Sequence, residues 1–262
     1  MKSNIEWKKW GERDPLYAVS TWPGKDQCGP DPWTDADFYE LGRSDWSDFH
    51  NHWRHYGVAA EHCIEIGCGA GRITKQLANS FAEVTAADVS EHQIDYAKSR
   101  LAALNVRFIL TDGVRLPLSD GACSAAFSAH VFQHFDSFDE ALVVFRELHR
   151  VLRVGGTLMI HLPVYQLPDM PVSSLFKPVI ALVKRLGDIR AAIHRRALTK
   201  GKWKFVMRRL RYEREALRHS LAEIGFSEIE FRCFAVHSNS DYHEFVFARK
   251  NPVVRGFNTS SS

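Results

Sequence analysis

The chain is poor in the features that mark a secreted, membrane-spanning or zinc-ribbon protein. Its cysteines, Cys28, Cys63, Cys68, Cys123 and Cys233, are odd in number, scattered, and form no C-x-x-C pair. That excludes a disulfide framework and a zinc ribbon, and fits a reducing compartment. No uninterrupted apolar run approaches the roughly 18 residues needed to span a bilayer. The opening stretch MKSNIEWKKWGERD has no apolar core of signal-peptide length. Charge of one sign is also lacking: the net charge is +3 over 262 residues, too little by itself to call for a nucleic-acid partner. There is no internal repeat. What these absences leave is a soluble intracellular protein, expected in the cytoplasm. With 45% hydrophobic and 25% charged residues it has ample chain for a buried core.

What is present changes character along the chain. Residues 1–57 hold six of the seven tryptophans: Trp7, Trp10, Trp22, Trp33, Trp46 and Trp53. In TDADFYELGRSDWSDFHNHWRHYG, Thr34 can cap a helix, with Asp37 three residues on. Phe38, Leu41, Trp46, Phe49 and Trp53 recur at helical spacing, so one or two helices are expected there despite Gly42. This part reads as a helical N-terminal extension, or cap, on a main domain.

From Cys63 the rhythm becomes α/β. CIEIG, EVTAADVS, VRFILTDG, CSAAFSAHVF and GTLMIHLP read as strands. RITKQLANSF, EHQIDYAKSRLAAL and DEALVVFRELHRVL read as the helices between them. Apolar strands alternating with helices predict a parallel sheet with helices on both faces. Ligands in such sheets bind beyond the carboxyl ends of the strands. Gly155 and Gly156 read as a helix-ending turn. EREALRHSLAEIGF is expected as a helix closed by Gly225, and SEIEFRCFAV and HEFVFARK as a terminal antiparallel pair.

The loop in CIEIGCGAGRIT carries the chemistry. A strand, a glycine loop and a helix could be a dinucleotide fingerprint, G-x-G-x-x-G, whose backbone holds a pyrophosphate. Here Gly67, Gly69 and Gly71 give the tighter G-x-G-x-G, and Glu65 precedes them. A carboxylate there repels a phosphate and suits a positively charged ligand.

EIGCGAGRIT resembles motif I of the class I S-adenosylmethionine-dependent methyltransferases. The resemblance covers residues 63–163 well and 212–250 in outline. It implies a Rossmann-like, seven-stranded, mostly parallel sheet with an antiparallel terminal strand, and S-adenosyl-L-methionine as cofactor. It implies that Gly67, Gly69 and Gly71 lie against the amino-acid end and ribose side of the cofactor, and that Glu65 supports the ammonium region. Asp88, closing the second strand, would accept from ribose hydroxyls, and Asp112, followed by Gly113, from the adenine amino group. LPLSDGACSAAFSAHVFQHF resembles the fourth-strand segment of the family, and Ser128 within it is counted with the cofactor set.

The division that follows is 1–57 extension, 58–163 cofactor-binding core, 164–211 basic helical insertion acting as a substrate lid, 212–250 the rest of the core, and 251–262 a disordered tail. Methyl transfer is an in-line displacement, for which the protein supplies alignment and water exclusion. A hydroxyl acceptor also benefits from a base near neutral pH. His130, His161 and His134, in that order, are the candidates, each weighed against a purely structural histidine. His52 and His55, with His50 beside them, could bind a metal from one helix face, but a solvated polar face is the preferred reading, and no metal is expected. Residues 176–211 are rich in Lys and Arg with an apolar stripe at helical spacing. A lid, a surface recruiting an anionic or lipid-linked acceptor or a membrane, and a nucleic-acid site are weighed in that order.

The expectation is O-methylation of a small-molecule or glycan-type acceptor. The alternatives are N- or C-transfer to a lipid-linked or quinone-like acceptor, or a non-catalytic cofactor-binding protein. A nicotinamide dehydrogenase is disfavoured by the loop spacing.

Overall fold

The computed structural model describes residues 2–166 and 210–252. Most of the basic insertion and nearly all of the tail therefore lie outside the described residues. In chain order the elements are α1 (Lys2–Arg13), α2 (Pro15–Val19), α3 (Asp35–Tyr56), β1 (His62–Ile66), α4 (Thr74–Ser80), β2 (Glu83–Asp88), α5 (Glu91–Leu101), β3 (Val106–Leu110), β4 (Cys123–Ser128), α6 (Phe138–Val151) and β5 (Leu152–His161). The short β6 (Val164–Tyr165) and β7 (Tyr212–Glu213) follow, then α7 (Arg214–Ile224), β8 (Phe226–Ala235) and β9 (Tyr242–Lys250). Seven strands form one sheet in the order β3-β2-β1-β4-β5-β9-β8. All are parallel except β9, which runs antiparallel to both β5 and β8. Among the described residues no helix is long and apolar enough to cross a membrane.

The strands read as apolar runs because both faces of the sheet are covered. On one face Ile64, Ala126, Leu158 and Ile160 pack with Phe145 and Leu148 of α6 and Leu217 of α7. On the other face Cys63, Phe127, Met159 and Phe247 pack with Trp46, Phe49 and Trp53 of α3. The tryptophan-rich extension thus forms a layer of the core. Trp53 is fully buried, and its Nε1 donates to Thr157 Oγ1 on β5 at 3.1 Å. Thr34 caps α3 by accepting the Asp37 N–H at 3.1 Å. Gly42 inside α3, ordinarily worth about 1 kcal/mol of lost helix stability, has a steric cause. A Cβ there would collide with the carbonyl oxygen of Arg72, where α3 crosses the glycine loop.

One expectation is corrected. Gly155 and Gly156 do not end α6, whose C-cap is Leu152. They lie within β5, where the pairing jumps from Cys123↔Leu152 to Ala125↔Thr157. The helix passes directly into the strand, and the glycines absorb the shift in register. Gly225 does close α7, in the left-handed conformation at φ 112°. The chain leaves at β6 and returns at β7, which pair as Val164↔Tyr212. Nearby, the Leu210 N–H donates to Gln133 O at 2.8 Å.

Candidate active site

A cleft of about 710 Å³ opens beyond the carboxyl ends of the parallel strands. That is within the usual range for a small-molecule site, roughly 300–1,000 Å³. Its floor comes from Glu65 of β1, Asp88 of β2, and the turns after β3 and β4. Its roof comes from the N-terminal extension, through Trp7, Val19 and Trp22.

The glycine loop is shaped by what it touches. Gly67 and Gly69 have φ of 72° and 52°, in the left-handed region that favours glycine. A Cβ on Gly69 would meet Val19 Cγ2 at 2.5 Å, so α2 rests directly on the loop. Gly71 does not line the cleft; it turns the chain against Leu101 of α5.

Four N–H groups of the loop are engaged within the protein. Those of Gly67 and Cys68 donate to Ala87 O at 2.7 and 3.1 Å, and that of Gly71 to Cys68 O at 2.9 Å. The Gly69 N–H donates to Asp88 Oδ2 at 2.8 Å. A phosphate cradle needs such donors turned outward, and here they face the protein.

Glu65 is buried, and its Oε2 accepts the Thr74 hydroxyl at 2.6 Å. Burial pushes its proton affinity up to about 7, aided by the nearby Asp88 charge and opposed by the Thr74 hydrogen bond. Burial likewise raises that of Asp88, whose Oδ1 also accepts the Ser90 N–H at 2.9 Å. Beside them, Gln93 lines the cleft and its Oε1 is buried without a partner among the described residues, while Ser90 Oγ, also unpartnered, turns away toward Gly11 of α1. Two carboxylates and an unpartnered amide oxygen suit a ligand with an ammonium and hydroxyls. These residues fit S-adenosylmethionine and do not fit a pyrophosphate.

The remaining sequence-predicted residues divide. Gly113 lines the cleft. Asp112 is exposed, its Oδ1 accepting the N–H groups of Val114 and Arg115 at 2.8 and 2.9 Å. Those bonds hold its carboxyl below the usual range. Ser128 is fully buried and donates to Ile66 O at 2.8 Å, tying β4 to β1. His130, His161 and His134 all line the cleft. His134 packs against Trp7, ring centroids 4.7 Å apart. On α3, His50 stacks on Trp46 and His52 on Phe234, while His55 Nδ1 is 2.7 Å from Asn51 O. They serve as packing and local hydrogen-bonding groups.

Four cleft residues, Asp45, Arg72, Ser238 and His243, carried no signal in the sequence. Arg72, on the glycine loop, forms a buried ion pair with Asp45 of α3, and Ser238 Oγ donates to the same carboxylate. His243 comes in on β9, its Nδ1 3.3 Å from His161 Nε2. A helical pattern cannot mark Asp45 as buried, and a lone histidine at a strand end gives no hint of its neighbours.

Comparisons with known proteins agree with this geometry. Residues 64–160 match the family model described as "Methyltransferase domain". The chain is 32% identical over 140 residues to the O-methyltransferase cnsE of Penicillium expansum, covering 49% of this chain and 50% of that one. It is 33% identical over 99 residues to the malonyl-[acyl-carrier protein] O-methyltransferase of Serratia marcescens, covering 38% and 37%. The chain thus spans half or less of the length of these curated relatives. In fold it is similar to the phosphoethanolamine N-methyltransferase 1 of Haemonchus contortus, solved with phosphoethanolamine and S-adenosylhomocysteine. That likeness has a TM-score of 0.61 at 15% identity, over 97% of this chain and 49% of the other. Residues 64–160 accordingly match a methyltransferase domain, and the chain shares its fold with solved S-adenosylmethionine-dependent methyltransferases.

Proposed function

We propose that the chain is a cytoplasmic S-adenosylmethionine-dependent methyltransferase that acts on an oxygen of a small-molecule acceptor. The observation that carries this reading is the pairing, across one cleft, of the Glu65–Asp88 pocket with an imidazole cluster at the ends of β4 and β5. When bound, the cofactor supplies an electrophilic methyl group on a sulfonium. Glu65 faces its ammonium, Asp88 and Gln93 its ribose hydroxyls, and Val19 and Trp22 close the site to water. His130 accepts the acceptor's proton as the new carbon–oxygen bond forms.

The electrostatics narrow the acceptor. Burial, with His161 close by, pushes the proton affinity of His130 well below that of a free imidazole. Burial pushes His161 down to about 3. Neutral rings of low basicity suit a hydroxyl that is itself acidic, a phenol or a carboxylic acid, more than a sugar hydroxyl. The relatives named for O-transfer, one of them to a malonyl group, support the same choice.

A tritiated-methyl donor assay over phenols, carboxylic acids and sugars tests the reading. Turnover of the first two classes, abolished in His130→Ala with S-adenosylhomocysteine affinity unchanged, is expected. Binding without turnover of any acceptor would leave a cofactor-binding protein without catalysis. A second reading is N- or C-transfer to a lipid-linked or quinone-like acceptor, and it rests on the basic run of residues 176–211. Cosedimentation with anionic vesicles distinguishes it. Nucleic acid ranks last, since the run lacks interleaved aromatic pairs.

A further inference from the structure

Three histidines from three separate elements converge on one wall of the cleft. His130 follows β4, His161 ends β5, and His243 is the second residue of β9. One ring nitrogen of each lies within 4.8 Å of the other two. His161 Nε2 and His243 Nδ1 are 3.3 Å apart. That is about the separation of two nitrogens held by one tetrahedral zinc ion at roughly 2.0–2.1 Å each. His130 adopts φ 62°, a strained conformation for a residue with a Cβ and one that clusters at functional sites. In it the His130 ring sits 4.3 and 5.1 Å, centroid to centroid, from those of His161 and His243. The ring nitrogens of His130 make no hydrogen bond among the described residues.

We propose that His130, His161 and His243 form a binding site for a zinc-type divalent cation, with the fourth coordination position facing the cleft. Three neutral imidazoles with one open position are the donor set of catalytic zinc sites. An all-nitrogen set is wrong for magnesium or calcium, which take oxygen.

One adjustment accompanies loading. The His130 N–H now donates to His161 Nδ1 at 3.3 Å, which leaves the His161 proton on Nε2. The ion takes that position, the proton moves to Nδ1, and the long contact opens. With an ion bound, His130 would hold it and would not be free to take a proton, and the ion would supply Lewis-acid activation at its fourth position.

The site goes beyond the proposed methyl transfer and does not rest on it, because ion binding is measured with neither donor nor acceptor present. The full-length chain, without an affinity tag and stripped with a chelator, is titrated with Zn²⁺ in a calorimeter and with Co²⁺ by visible absorption. The expected result is one tight ion per chain and the intense bands of four-coordinate cobalt. His161→Ala and His243→Ala should each weaken binding at least tenfold, while the His52→Ala/His55→Ala double variant leaves it intact. Should His161→Ala fail to fold, His130→Ala carries the same test, since that ring is only partly buried. Absence of zinc binding overturns the site. So does cobalt absorption that persists in the ligand variants, or calcium binding of equal strength.

Discussion

Asp88 fastens the end of β2 to the glycine loop of β1: its Oδ2 accepts the Gly69 N–H at 2.8 Å and its Oδ1 the Ser90 N–H at 2.9 Å. One carboxylate thereby sets both the loop and the start of α5, and its remaining lone pairs face the cleft. Asp88→Ala leaves two buried N–H groups unpaired, at about 1–3 kcal/mol each. Urea unfolding should show that loss, and calorimetry a fall of at least tenfold in S-adenosylhomocysteine affinity. Unchanged affinity in a folded variant would remove Asp88 from the cofactor site.

Gly69→Ala tests the contact between loop and roof. The new methyl must adopt φ 52° and displace Val19 Cγ2, 2.5 Å away. Strain and overpacking together are expected to lower stability by about 1–3 kcal/mol and to weaken cofactor binding. Adding Val19→Ala makes room for the methyl, so the double variant should recover part of the stability. Strict additivity in a double-mutant cycle would show that α2 does not rest on the loop.

How much of this was legible in the sequence follows from how far apart the partners lie. The strand, loop and helix from Cys63 to Ser80 are contiguous, and their periodicity and glycines marked them directly. Asp88 was readable because each strand of a parallel sheet delivers its carboxyl end to the same edge. Asp45, Arg72 and Ser238 were not, since their contacts join segments 27 and 193 residues apart. His243 reaches the site only because β9 inserts antiparallel beside β5, pairing His161 with Phe245. Nor could composition tell that Trp46 and Trp53 cover a face of the sheet instead of capping it from outside. Asp112 follows β3, and its Oδ1 accepts the N–H groups of Val114 and Arg115 in its own turn, a local use its motif does not reveal.

The Arg72–Asp45 pair is buried on both sides, at 5% and 6% exposure, and it joins the glycine loop to α3. Removing one member strands a buried charge, which typically destabilises by about 3–5 kcal/mol. Asp45→Ala should therefore lower the thermal midpoint far more than Ser238→Ala, which removes only a hydroxyl donor. Similar small effects for both, measured by calorimetric melting, would show that water reaches Arg72.

Glu65 gives the protein a pH signature. Its folded proton affinity is raised from 4.5 to about 7, so between these values the folded state binds a proton that the unfolded state has released. The stability from this group is complete below pH 4.5 and is lost as pH rises through about 7. A ligand ammonium beside Glu65 favours the carboxylate and reverses the loss. S-adenosylhomocysteine, which carries the ammonium but no sulfonium, should bind more tightly at pH 8 than at pH 6. Near pH 7 it should release part of a proton to buffer, read by calorimetry in buffers of different ionisation enthalpy. In Glu65→Gln both the proton release and the pH slope of affinity should shrink. If they persist, the titrating group lies elsewhere, and Asp88, raised in the same direction, is the next to substitute.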